Sequence, residues 1–123
     1  MVKRIGVNLL YLFLILAVPF AFSDDPEPSW FYNSNQLYRY CREQEVGFNL
    51  GVCAGYVLGV FDAISVAQNV PRASKSFCSE QSIMAGQLRE IATQYMREHS
   101  AERQSSAISI LNAAFGQAFP CPK

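Results

Sequence analysis

The sequence predicts an all-α fold, a small disulfide-stapled bundle of four or slightly more helices. Three observations carry this. Four segments repeat apolar residues at i, i+3 and i+4; sustained period-2 alternation and Asn-Gly or Asp-Gly hairpin turns are lacking; and four cysteines stand ready to staple a short chain.

The N-terminal 23 residues read as a secretory signal. Lys3 and Arg4 give a positive start, residues 9–22 are apolar, and Ala21-Phe22-Ser23 is a small-x-small cleavage site. The alternative is a signal anchor, but the apolar stretch falls short of the ~20 residues of a membrane span and runs into an acidic, proline-bearing segment. Cleavage predicts a mature chain from Asp24 with no further membrane span, exported to an oxidising compartment. Losing Lys3 and Arg4 from ten basic residues leaves eight against ten acidic, a formal charge of −2. The six arginines and two lysines that remain are scattered from Arg39 to Lys123, so no cationic patch exists to displace counterions from a nucleic acid.

Residues 24–34 form an extended arm with Pro26 and Pro28. Its Trp30, Phe31 and Tyr32 either dock on the body or present an aromatic patch to a partner. The helical domain follows over residues 35–123. Ser34 or Asn35 can cap a first helix over 36–43, with Leu37, Tyr40 and Cys41 on one face. Gly47 breaks the chain before a second helix over 49–68. Residues 69–82, with Pro71 and a polar run, form a loop. Ser82 can cap a third helix over 83–98, whose stripe is Met84, Leu88, Ile91, Tyr95 and Met96. After a charged connection, Ser105 or Ser106 caps a fourth helix to Ala118. Its inward set is Ala107, Ile108, Leu111, Ala114, Phe115 and Ala118, and Phe119-Pro120 stops it.

The second helix is the most unusual. Gly51, Gly55, Gly59, Ala63 and Ala67 recur every four residues and form a ridge almost without side chains. Each interior glycine costs about 1 kcal/mol relative to alanine, so three of them call for close approach by a neighbour. The spacing is also that of paired membrane helices. Asp62 in mid-span and cysteines destined for disulfides favour a buried central helix of a bundle, its ridge packed on another helix of the chain or on a second subunit. Gly55, Tyr56, Gly59 and Asp62 are accordingly expected in the structural core. Asp62 would accept from a helix N-terminus, a tyrosine hydroxyl or an arginine, since an unpaired buried carboxylate is costly. A catalytic acid would need a companion, and no second carboxylate lies within helical reach.

Cysteine gaps of 11, 24 and 42 residues contain no C-x-x-C pair, and His99 is the single histidine, so a zinc site is disfavoured against two disulfides. A hairpin turning near Gly47 brings Cys41 to Cys53 and leaves Cys78 for Cys121; spacing alone also permits a crossed arrangement.

In their order and spacing, Leu37-Tyr38-Arg39-Tyr40-Cys41, the run from Cys53 to Ala63, Phe77-Cys78, Gln87-Leu88, Tyr95-Met96-Arg97-Glu98-His99 and Ala118-Phe119-Pro120-Cys121 resemble the Rap1a/Tai family. These are periplasmic immunity proteins that neutralise peptidoglycan amidase effectors of type VI secretion. Ser79 and Ser100 stand where family members often carry proline. The resemblance implies a non-enzymatic, often homodimeric inhibitor that occludes an amidase cleft, with no cofactor or metal. Arg72 and Lys75 in the loop 69–76, and Glu98, His99, Glu102 and Arg103 in the hinge 98–104, are candidate partner-binding residues, each loop having a plain solvated reading beside it. A chaperone-like periplasmic helical protein is the alternative function. An enzyme finds no nucleophile–base pair, paired carboxylates, metal spacing or phosphate loop to support it.

Overall fold

The structure is a computed structural model that describes residues 31–79 and 82–123. The signal segment 1–23 and the arm up to Trp30 lie outside these residues. Among the described residues four α-helices follow one another: α1 (Ser34–Cys41), α2 (Phe48–Ala67), α3 (Ala85–Glu98) and α4 (Ala107–Ala118), with a 3₁₀ helix (Ser100–Gln104) joining the last two. Each α-helix touches the other three, and no strand is present among the described residues.

α1 starts earlier than the sequence suggests, because Asn33 rather than Ser34 or Asn35 is its cap. The Asn33 side chain accepts from the Gln36 N–H at 2.8 Å, and the Gln36 side chain accepts in return from the Asn33 N–H at 2.9 Å. This reciprocal pair satisfies two donors that the first turn would leave orphaned. Ser34 is thereby released for a different task. It is fully buried, and its hydroxyl lies 3.0 Å from both the Ser105 and Ser106 carbonyls, donating between them. With Ser34 N–H on the Ser105 carbonyl and Ala107 N–H on the Tyr32 carbonyl, this ties the entry of α1 to the entry of α4.

α3 also departs from expectation. It begins at Ala85, after Ser82 and Ile83, where the Gln87 side chain reaches back to accept from the Met84 N–H at 3.0 Å. Its buried face is Leu88, Ala92, Thr93 and Met96, whereas Met84 is exposed. α4 is capped by Ser106, whose Oγ accepts from the Ser109 N–H. Ile110 takes the buried place expected for Ile108, which faces solvent together with Ala118.

The core is built from Leu37 and Cys41 of α1, Cys53, Val57 and Val60 of α2, Leu88, Ala92 and Met96 of α3, Ile110, Leu111 and Phe115 of α4, and Phe77 from the long loop. Phe77 stacks on Phe61 at 5.0 Å and meets Phe115 edge-on at 5.6 Å, so one loop residue closes the end of the bundle between α2 and α4. Disulfides join Cys41 to Cys53 and Cys78 to Cys121.

The expectation for α2 needs correction. Gly55, Gly59 and Asp62 are not in the core; all three are exposed, as are Gly51, Ala63 and Ala67. A Cβ placed on Gly51, Gly55 or Gly59 would meet nothing within 4 Å. The reason is that α2 is apolar on every side, so hydrophobic periodicity could not choose an inward face. The bulkier Cys53, Val57 and Val60 take the core, and the glycine ridge turns outward. Tyr56 is half-buried beside the core, with its ring 5.4 Å from Tyr32, and burial with the nearby Tyr32 charge raises its pKa above the ordinary tyrosine value.

Candidate functional site

The long α2–α3 loop is held at its base and free at its tip. Gln68, just past the end of α2, donates through Nε2 to the Phe77 carbonyl at 2.9 Å and accepts through Oε1 from the Ser76 N–H at 3.1 Å. One amide side chain thus clamps both rims of the loop. The far rim is fixed again by the Cys78 N–H, which donates to the Phe119 carbonyl at 2.8 Å, and by the disulfide to Cys121. Between these anchors residues 69–76 are all exposed, including Arg72 and Lys75. Arg72 has φ 71°, a left-handed conformation that costs a side-chain-bearing residue of the order of 1–3 kcal/mol. The loop therefore presents a guanidinium on a specified backbone corner, with Lys75 on the descending limb and no carboxylate between residues 69 and 79.

A depression of about 450 Å³ lies under this loop, lined by Phe61, Ser65, Gln68, Lys75 and Phe77, with Pro122 at its rim. A second groove of about 500 Å³ lies across the Cys78–Cys121 bridge, between Ile83 and Ile91 on one side and Phe119 and Pro120 on the other. Sequence reading missed this second groove. Its walls come from the loop, α3 and the C-terminal tail, and the disulfide and the Cys78 N–H bond to the Phe119 carbonyl hold the loop against the tail.

The hinge 98–104 is built differently. His99 stacks on Tyr95 with ring centroids 3.8 Å apart and 9° between planes, and its Nδ1 is 2.9 Å from the Tyr95 carbonyl. Arg103 donates from Nε to the Met96 carbonyl at 2.5 Å and from Nη2 to the Arg97 carbonyl at 3.2 Å, while its guanidinium sits over the Tyr38 ring. These are the orphan carbonyls of the α3 C-terminus, where a cation also complements the helix dipole. Arg103 is therefore a helix cap. Glu98 accepts from Gln94 at 2.9 Å, and Glu102 is exposed. Glu102 adds to burial in raising the pKa of Tyr95, desolvation being the larger cause.

The two candidate clusters are not brought together. α4 runs from the hinge to Phe119 beside the loop base, and its 12 residues span about 18 Å at 1.5 Å per residue. Arg72 and Lys75 sit at one end of the bundle; Glu98, His99, Glu102 and Arg103 sit at the other. No group of three or more metal-ligating side chains is found among the described residues.

No curated protein and no solved structure matches this chain. The family model for Rap1a immunity proteins matches residues 33–121, from the Asn33 cap to the cysteine that closes the second disulfide. That span takes in all four helices and both candidate loops, and the chain belongs to the Rap1a immunity protein family.

Proposed function

We propose that this protein neutralises a peptidoglycan amidase effector of type VI secretion by seating its α2–α3 loop in the enzyme's cleft. It would act in the periplasm, after removal of residues 1–23, as a homodimer. The observation that carries the choice of loop is its construction: a base clamped by Gln68 and by the Cys78–Cys121 bridge, and an exposed tip that displays Arg72 and Lys75. Occluding a cleft needs no catalytic group. It needs a protrusion that loses little entropy on docking, and clamping the base removes that cost before binding. Two cations in a stretch, 69–79, that carries no carboxylate would set orientation and speed of encounter with an acidic rim. The hinge is less suited, because Arg103 is already committed to the carbonyls of Met96 and Arg97.

The test is co-expression in the periplasm with any peptidoglycan amidase encoded beside this gene, together with binding between the purified proteins. The protein should abolish lysis and inhibit hydrolysis of peptidoglycan. Arg72→Gly retains a backbone at ease with positive φ while removing the guanidinium, and should weaken binding by about tenfold or more, as an interface anchor does. Full protection by a chain lacking the Arg72 and Lys75 side chains would refute the loop as the inhibitory element; failure to bind the amidase at all would refute the target.

A further inference from the structure

We propose that the groove beside the Cys78–Cys121 bridge is the docking place of a thioredoxin-type protein dithiol, which opens and closes this bond and so sets how firmly the base of the α2–α3 loop is held. The two bridges of the fold differ in reach. Cys41 and Cys53 are 1 % and 0 % exposed, shut between α1 and α2, so a thiolate reaches their sulfurs only when the bundle opens. Cys78 and Cys121 are half-buried. Cys78 lines the groove on one side and the depression under the loop on the other. Access of this kind decides which disulfide exchanges.

The walls of the groove say what enters it. None of its lining side chains is charged, and Ile83 and Ile91 stand across from Phe119 and Pro120. The reactive group on that wall is the disulfide, and the nucleophile that opens a disulfide is a thiolate. A cavity of about 500 Å³ has more room than a small thiol fills. Its apolar, uncharged walls match the apolar surround of a thiolate carried by a protein.

The step balances within the two proteins. The dithiol's thiolate attacks Cys78 Sγ, the bond to Cys121 breaks, and Cys121 leaves as a thiolate that takes up a proton. The second thiol then attacks the mixed disulfide and releases Cys78. In sum two electrons and two protons pass to the bridge, and the dithiol ends as a disulfide. The reverse sequence closes the bridge, with the oxidised partner as electron acceptor. Cys121 suits the part of leaving sulfur, because it stands in a tail beyond Pro120 that belongs to no helix and can swing clear without unwinding α4.

The loop feels the change. With the bond closed, its base is pinned by the Gln68 amide, by the Cys78 N–H on the Phe119 carbonyl and by the bridge. Opening leaves hydrogen bonds alone to hold it, while the buried Phe77 and the Cys41–Cys53 bond keep the bundle together. The consequence for inhibition rests on the reading of the loop given above: an oxidising compartment arms the inhibitor and a reducing one disarms it.

The test uses thioredoxin as the protein dithiol and dithiothreitol as the small one. Mass mapping of alkylated thiols should show Cys78–Cys121 opening about a hundred times faster than Cys41–Cys53 or more, because a buried bond waits on unfolded populations of about 10⁻³ or less. Thioredoxin lacking its second cysteine should be trapped on Cys78. Ile83→Glu puts a charge on the groove wall and should slow thioredoxin about tenfold or more, with the dithiothreitol rate unchanged. Opening should quicken amide exchange at Ser76 and Cys78 about tenfold or more, with the helical circular dichroism retained. Trapping on any other cysteine, equal rates for the two bridges, or an Ile83→Glu chain that thioredoxin reduces as fast as the wild type overturns the docking site. Global unfolding on opening, or unchanged exchange at Ser76 and Cys78, overturns the switch and leaves the bridge a staple. A loop base that loosens while amidase inhibition stays whole overturns the loop as the inhibitory element and leaves the redox site standing.

Discussion

The guanidinium of Arg103 rests 4.0 Å from the centroid of the Tyr38 ring, which joins the hinge to α1. The same side chain caps the C-terminus of α3 through the Met96 and Arg97 carbonyls. Arg103→Ala removes the cap and the ring contact together, and should lower stability by about 2 kcal/mol. Arg103→Lys keeps the charge but not the planar fork, and should recover less than half of that loss. Urea denaturation checks both. The loss should appear in the midpoint, while effector affinity, measured where the variant is folded, should hardly move.

The two disulfides should differ in weight. Cys78–Cys121 spans 43 residues and Cys41–Cys53 spans 12. Constraint of the unfolded chain then predicts about 4 kcal/mol for the first and about 3 kcal/mol for the second. Replacing each pair by serine and comparing unfolding curves tests the ranking. Loss of Cys78–Cys121 should also loosen the base of the α2–α3 loop, so this pair should cost inhibitor potency beyond its share of stability.

Stability should fall in alkali. Burial raises the pKa of Tyr56, assisted by the charge of Tyr32, and burial with the charge of Glu102 raises that of Tyr95. Both groups bind their proton more tightly folded than unfolded. Their contribution is complete below the ordinary tyrosine pKa of about 10, and is lost as pH climbs through that value and past the higher folded one. Ultraviolet titration should show at least two tyrosines ionising late. In Glu102→Gln the Tyr95 transition should move down while that of Tyr56 stays in place.

The helical class was legible because α2 and α4 carry their own punctuation: Gly47 before α2, a serine before α4, and Phe119-Pro120 after it. The caps were less legible. Asn33 and Ser34 are both good capping residues, and the choice between them rests on a hydrogen bond from Ser34 to a chain segment 71 residues away. Orientation of α2 was not legible at all, since a helix apolar on every side has no preferred inward face until its neighbours are placed. The charged loops were visible as charge runs. That Arg103 is spent on capping while Arg72 stands free at a left-handed corner depends on geometry that composition does not carry.

Two glycines should respond in opposite ways to the same change. At Gly116 a Cβ would lie 3.0 Å from the Ser76 carbonyl oxygen, a backbone atom of the clamped loop base. At Gly55 a Cβ would meet nothing within 4 Å. Both positions lie inside helices, so alanine gains about 1 kcal/mol of helix propensity at each. Gly55→Ala should keep that gain in the folded monomer. Gly116→Ala must push Ser76 away, against the grip of Gln68 and the Cys78–Cys121 bridge, and this should offset the gain and leave the variant less stable than the wild type. Chemical denaturation below the dimer dissociation range reads the monomer alone. A Gly116→Ala chain as stabilised as Gly55→Ala would mean that the loop base yields freely, and would remove the rigidity on which the inhibitory role of the loop is argued.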